Sequence, residues 1–427
     1  MNDVHPLAAL APERAAGHAH GITSVCSAHP LVIEAALLQA EADGTPALIE
    51  ATCNQVNQEG GYTGMTPADF RDAVFAIADR VEFARDRIIL GGDHLGPNPW
   101  KDLEAEEALQ RAEVMVEAFV AAGYVKIHLD TSMGCAGEPL ALADGDTAAR
   151  AARLARVAED TASRAGLPAP FYIIGTEVPT PGGALEAIDH MVVTSPTAAA
   201  RTYDVHREAF AVLGLEAALE RVIALVVQPG VEFGHENVVV YEPLRARALS
   251  AALGGLPGLV FEAHSTDYQP PASLQALVQH GFAILKVGPG LTFALREALY
   301  ALDQIALALD PTWARHSLPA AMERVMLADP RYWQSHYPGT SVEQRLLRHY
   351  SYSDRIRYYW PAPDAQTAVE RLLTDLTARP IPETLISQFL PTLYPRVMEG
   401  TVQPVPRELM IEAVRDVLRN YAAACRG

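Results

Sequence analysis

Histidines and carboxylates recur in this sequence in one local setting, close behind short runs of β-branched residues. His94 lies in Gly91-Gly-Asp-His-Leu-Gly-Pro97, His264 opens His264-Ser-Thr-Asp267, and His235 follows Gln228 and Glu232. Glu177 comes just after Phe171-Tyr-Ile-Ile-Gly175. Imidazoles with a carboxylate suit Zn²⁺, Mn²⁺, Co²⁺ or Ni²⁺ better than Mg²⁺, and charge gathered in an interior must be paired or bind a metal. The expectation is a divalent-metal site of His94, His235 and His264, with Glu177 as fourth ligand or as a partner behind the ligands. The ion itself stays open.

Other residues in the same setting supply the rest of a reaction site. Asp93 precedes His94 and so points elsewhere, free to act as a base. Asp130 and Glu177 form a second candidate acid–base pair. Ser27 and Asn54 follow the first two runs as polar contacts for a substrate. His264-Ser265-Thr266 and Val287-Gly288-Pro289-Gly290 offer backbone N–H groups of the kind that bind phosphate. Arg355 and Arg357, in the aromatic stretch from Tyr350 to Trp360, could add charge to such a clamp. Lys286 invites a Schiff-base reading. That chemistry needs a depressed pKa, which nearby carboxylates oppose, so a salt-bridged or hydrogen-bonding lysine is expected instead.

Positioning these groups requires a regular frame, and the sequence alternates. The β-branched runs are 22–26, 47–50, 88–91, 125–130, 171–175, 222–227, 259–263 and 282–287. Between them lie segments of helical period such as 67–85, 102–122, 147–165 and 197–213, and 292–309 closes the series. Continuous apolar strands alternating with helices mean a parallel sheet covered by helices. Eight such units point to a closed (β/α)8 barrel over residues 1–309, with polar residues at the C-terminal strand ends facing the active site. No GxGxxG follows the first strand, against a dinucleotide-binding sheet. Residues 310–427 read as a helical extension packed on the barrel.

Composition narrows the partners. A formal charge of −19 over 427 residues disfavours nucleic acid and anionic membrane surfaces. No apolar run approaches the roughly 20 residues needed to span a bilayer. The four cysteines lack CxxC spacing and the N-terminus lacks a secretory pattern, so a cytoplasmic protein is expected. A homo-oligomer acting on a small molecule is the corresponding expectation.

The longer motifs resemble the GatZ/KbaZ family. They include Ser24-Val-Cys-Ser-Ala-His-Pro30, Glu50-Ala-Thr-Cys-Asn-Gln-Val-Asn57, Lys126-Ile-His-Leu-Asp130, Gln228-Pro-Gly-Val-Glu-Phe233 and Glu262-Ala-His-Ser-Thr-Asp-Tyr-Gln269. Leu285-Lys-Val-Gly-Pro289 and Tyr352-Ser-Asp-Arg-Ile-Arg-Tyr-Tyr-Trp360 extend the resemblance over nearly the whole chain. Members are known as the non-catalytic Z subunit of class II tagatose-1,6-bisphosphate aldolase, once called tagatose-6-phosphate kinases, and some relatives are 4-epimerases of tagatose 6-phosphate and fructose 6-phosphate. No P-loop of the kinase kind is present. More distantly the pattern is similar to the catalytic class II aldolases. That likeness implies Asp93 as base, His94, His235 and His264 as zinc ligands, and Glu177-Val178 as the matching Glu-Val segment. Ser265 and Thr266 depart from the aldolases' Gly-Ala-Ser phosphate segment.

The resemblance implies a metal-dependent 4-epimerase of a ketohexose phosphate, or an accessory subunit partnered with a class II aldolase. A C4 proton on a 2-ketose is not adjacent to the carbonyl, so simple deprotonation there fails. Without a nicotinamide-binding fingerprint, cleavage and re-formation of the C3–C4 bond is favoured over oxidation. Epimerisation at C3, with Glu177 and Asp130 shuttling an acidic proton, is a further option.

Overall fold

The chain is described by a computed structural model at residues 4–175 and 191–427. Eight parallel strands close into a barrel: β1 Ile22–Cys26, β2 Ala47–Thr52, β3 Ile88–Leu95, β4 Lys126–Leu129, β5 Phe171–Ile174, β6 Val222–Val226, β7 Val260–Ala263 and β8 Phe282–Val287. β8 pairs with β1, Ile22 opposite Ile284, which completes the ring. The expected strands all form, and β2 and β3 run further than the apolar runs alone suggest.

Local chemistry sets the intervening helices. Thr66 and Asp69 cap the helix Pro67–Arg80 reciprocally, and proline at the first turn starts Pro30–Asp43, Pro196–Val212 and Pro289–Leu309. The helix expected to reach residue 85 stops at Arg80, and Arg85–Arg87 form a separate short turn before β3. A helix Pro6–Ala15, not foreseen from sequence, sends Leu7 and Leu10 into the apolar cluster of Leu48, Ile89, Ile173, Val260 and Ile284. This cluster fills the end of the barrel at which those strands begin.

Along each strand every second side chain faces the same way, so the interior changes in layers. Two residues past that apolar floor come Glu50, Gly91, Glu262 and Lys286, with Lys126 of β4 beside Gly91 in register. Two residues further come Thr52, Asp93, His128 and His264. Gly91 is required by this layering: a Cβ there would stand 2.8 Å from Cγ of Glu50, whose side chain lies across the strand. Gly96 is equally constrained, since a Cβ would fall 1.7 Å from the Asp130 carbonyl oxygen.

Residues beyond 310 form helices that cover the barrel, among them Ser341–Tyr350, Pro363–Thr377 and Pro406–Arg426. The last helix returns to the strand ends, where Tyr421 Oη donates to the Thr266 carbonyl at 2.7 Å. No helix among the described residues is long and apolar enough to cross a membrane.

Lys126 is wholly buried, its Nζ 2.6 Å from Glu50 Oε1 and 2.8 Å from Glu262 Oε2. Removing one partner of such a group leaves buried charge uncompensated, at a cost of about 3–5 kcal/mol. Lys126→Met is therefore expected to lose about that much stability in denaturant unfolding. A loss within ~0.5 kcal/mol, the range of an ordinary surface substitution, would show that the ion is not holding the interior together.

Candidate active site

From Lys126 the buried charges run outward to the mouth of the barrel. Glu50 reaches Lys126 with one oxygen and Lys286 Nζ with the other, at 3.0 Å. Lys286 also contacts Asp93 Oδ2, and Asp93 Oδ1 lies 2.9 Å from His128 Nδ1. On the other branch Glu262 reaches Lys126 with Oε2 and His264 Nε2 with Oε1, at 2.8 Å. His94 joins through Asp93 Oδ2, 3.7 Å from its Nε2, and through Asp130 Oδ2, 2.9 Å from its Nδ1.

The three imidazoles form a compact triangle, with ring centroids 4.8, 4.9 and 5.2 Å apart. Each ring has an oxygen partner at one nitrogen: Asp130 for His94, the Gly175 carbonyl at 3.0 Å for His128, Glu262 for His264. Such partners fix tautomer and orientation; the remaining nitrogen of His128, Nδ1, meets Asp93 Oδ1 and accepts from the His94 backbone N–H at 3.2 Å. One ligand atom from each of Asp93, His94, His128 and His264 lies within 4.8 Å of all the others. His94 has a left-handed backbone, φ 50°, as does Ser265 at φ 52°, an uncommon conformation that clusters at functional sites.

Electrostatics follow from burial and neighbours. Burial alone would favour a neutral Asp93, but His94, Lys286 and His128 hold its carboxyl well below the usual carboxylate range. Burial also opposes charge on Lys286, yet Asp93 and Glu50 keep its ammonium well above the ordinary lysine value. The neutral amine that a Schiff base requires is thus not populated. Burial, reinforced by Lys286, pushes His264 down to about 3, leaving it neutral as a metal ligand must be. Four carboxylates, Glu50, Asp93, Asp130 and Glu262, face two ammonium groups, Lys126 and Lys286. Two negative charges are left for protonated imidazoles or a bound cation to meet.

These groups open into a cavity of ≈ 190 Å³ lined by Asp93, His94, Asp130, His264, Lys286 and Arg357. A second cavity of ≈ 480 Å³, lined in part by Ser27 and Trp360, borders it at Cys26, Gln55, Tyr62, Gly288 and Arg357.

Several residues chosen from sequence meet here. Asp93, His94, Asp130, His264, Ser265, Lys286, Gly288 and Arg357 line the smaller cavity, and Asn54 stands exposed at its edge. Ser27 is buried in the wall of the neighbouring cavity. Glu177 lies outside the described residues.

Others are placed differently. His235 does not join His94 and His264. It follows β6 by nine residues, its Nε2 pairs with the His336 carbonyl at 2.9 Å, and its ring meets Tyr337 edge-on. It ties the C-terminal segment to the barrel. The third corner of the triangle is His128, two residues past Lys126 and two before Asp130. The strict alternation Lys-x-His-x-Asp along β4 and the residue that follows it was the available signal. Asp93 is not a free carboxylate, because Lys286 and His128 both engage it. Thr266 turns from the cavity to donate to the Lys286 carbonyl at 2.5 Å. Arg355 bonds the Tyr332 carbonyl and stacks on Tyr358. Lys126 and Glu262, which organise the network together with Glu50 at the end of the second run, were missed because each sits inside an apolar run.

Glu232, in a two-residue strand paired with Val238–Val239, is 1% exposed, and burial pushes its carboxyl up to about 7. Its folded value exceeds the unfolded one, so its contribution is complete below the unfolded carboxyl range and is lost as pH rises through about 7. Glu232→Gln is expected to match the parent at about pH 4 and exceed it by roughly 1–3 kcal/mol at about pH 8 in chemical unfolding. An equal difference at both pH values would contradict the assignment.

Comparison with known proteins agrees with this architecture. Residues 7–426 match the family described as D-tagatose-1,6-bisphosphate aldolase subunit GatZ/KbaZ-like. A curated relative from Agrobacterium fabrum, named D-tagatose 6-phosphate 4-epimerase, is 57% identical over 415 residues, covering 97% of each chain. A crystal structure described as a probable tagatose 6 phosphate kinase from Sinorhizobium meliloti 1021 shares 60% identity and a TM-score of 0.88, over 95% of this chain and 100% of that one. The chain belongs to the GatZ/KbaZ-like family.

Proposed function

We propose that the protein is a metal-dependent cytoplasmic enzyme that interconverts D-tagatose 6-phosphate and D-fructose 6-phosphate at C4 by retro-aldol cleavage and re-addition. The observation that carries this reading is the triangle of three imidazoles set against the Asp93–Lys286 pair, with His94, His264, Asp93 and Lys286 opening into one cavity and His128 buried behind them. The name of the relative at 57% identity supports the substrate.

His94, His128 and His264 are the residues that would hold a divalent ion, and a partner behind each ring together with the excess of carboxylates over ammonium groups fits that role. When bound, such an ion supplies Lewis acidity that polarises a ketose carbonyl. The chain's own groups then act as follows. Asp93, already ionised, takes the proton from the C4 hydroxyl. The C3–C4 electron pair moves into an enediolate spanning C2 and C3, and C4 leaves as the aldehyde of glyceraldehyde 3-phosphate. Lys286, fixed beside Asp93, offers its positive charge to the enediolate. Rotation of the bound aldehyde presents its other face, the C3–C4 bond re-forms, and Asp93 returns the proton. Asp130 keeps His94 oriented throughout. Arg357 is the cationic group at the cavity for the phosphate.

The family description favours a second reading, an accessory subunit of a separate class II aldolase. Purified protein alone with tagatose 6-phosphate and divalent metal separates the two. Formation of fructose 6-phosphate supports the epimerase, and no turnover except with an added aldolase supports the accessory role. In D₂O the cleavage route leaves both C3 and C4 hydrogens in place, so deuterium on carbon at C3 would instead indicate proton abstraction there.

Asp93→Asn is expected to lower turnover by roughly 10²- to 10⁴-fold with unchanged folding, the range for a lost acid–base group. Retained activity would remove Asp93 from the mechanism. His128→Gln should weaken zinc binding by about 100-fold or more in a chelator competition, beyond the usual cost of losing a partner behind a ligand. His235→Gln should leave it unchanged. The reverse pattern would restore the ligand set first expected from sequence.

A further inference from the structure

Barrels of this kind commonly bind phosphoryl groups on backbone N–H donors in the loops after the seventh and eighth strands. The loop after β8 has that form: Gly288 and Gly290 flank Pro289, the first residue of a 21-residue helix whose N-terminal dipole favours an anion. In this chain an anion is already seated there. Asp267 Oδ1 accepts from Gly288 N–H at 3.0 Å and from Gly290 N–H at 2.7 Å. The residue is 3% exposed. The surroundings are moulded to it, since a Cβ on Gly290 would stand 3.0 Å from that same oxygen. Asp267, Gly288 and Pro289 all line the ≈ 190 Å³ cavity that holds Asp93, His94 and Lys286. These donors are therefore not available to a substrate, in contrast to the expectation from sequence.

We infer that Asp267 is a specificity-determining residue: its carboxylate fills the backbone anion seat at Gly288 and Gly290, so the cavity accepts a ketose monophosphate and rejects one with a second phosphoryl group at that end. The inference rests on the sugar-phosphate reading above and adds which member of that class is excluded. The physical reason is direct. A phosphoryl group brought to this seat finds both donors occupied and a buried negative charge in its place, and repulsion between the two anions acts within the low dielectric of the interior. A neutral isostere that still accepts both hydrogen bonds keeps the seat occupied, whereas a residue with no side chain vacates it.

Binding of three probes tests this by calorimetry on the full-length protein: inorganic phosphate, a ketohexose 6-phosphate and a ketohexose 1,6-bisphosphate. The parent protein and Asp267→Asn should bind the bisphosphate at least roughly tenfold more weakly than the monophosphate. Asp267→Gly should narrow that ratio by about tenfold or more and gain binding of inorganic phosphate at millimolar concentration. Asp267→Ser, which shortens the side chain, provides the same comparison if the glycine variant does not fold. An unchanged ratio, with no new phosphate binding in a folded variant, would overturn the assignment to Asp267. Equal affinity for monophosphate and bisphosphate in the parent would overturn it as well. If neither sugar phosphate binds any form while the glycine variant captures inorganic phosphate, the seat is confirmed and the sugar-phosphate reading is what fails.

Discussion

A single ammonium group inside the barrel sets the terms for everything above it. Lys126 Nζ is removed from water between Glu50 and Glu262, both wholly buried. Taking three charges into an interior carries a large desolvation cost, and replacing such a group with apolar side chains is often neutral or stabilising. Stability alone does not explain its presence. What it does provide is direction. With one oxygen of each carboxylate held at Lys126, the other is aimed at Lys286 or at His264, and those two side chains carry the fixed geometry to the cavity.

The layers below and above this cation differ in physical character. Beneath it Leu48, Ile89, Val260 and Ile284 pack with Leu7 and Leu10 and keep water out. Above it the interior becomes polar within one pleat, and charges meet donors and acceptors rather than solvent. The strained backbone at His94 and Ser265 sits at this upper boundary, where the chain leaves strand geometry to bring side chains over the mouth. The C-terminal segment completes the enclosure: Arg357 and Tyr358 line the cavity, and Tyr421 fixes the loop at Thr266. The segment after β8 thus contributes wall and charge as well as cover.

Much of this was legible in the residues. Apolar runs of four to six residues alternating with helical periods specified the barrel, because only a sheet covered on both faces buries continuous apolar strands. Ends of strands pointed to Asp93, His94, Asp130, His264 and Lys286, which line one cavity. Two kinds of information were out of reach of that rule. His235 has the right type and follows a strand, but it sits in the turn of a short hairpin formed by Glu232–Phe233 and Val238–Val239, so proximity in sequence to β6 did not mean proximity to the mouth. The donors of Gly288 and Gly290 looked available because their partner, Asp267, comes from a different loop. His128 could have been found, since it shares the inward parity of Lys126 and Asp130. Lys126 and Glu262 show the limit of a hydropathy pattern, in which a charged residue within an apolar run looks like an interruption. Here it is the feature the site is built on.

The central claim is that this buried cation and its carboxylates gather three imidazoles, from β3, β4 and the end of β7, around one ion. X-ray absorption at the zinc edge of protein loaded with one equivalent of zinc reads the ligands directly. The account predicts the multiple-scattering signature of three imidazoles. A first shell with one imidazole or none, made up of carboxylate or water oxygens instead, would contradict it.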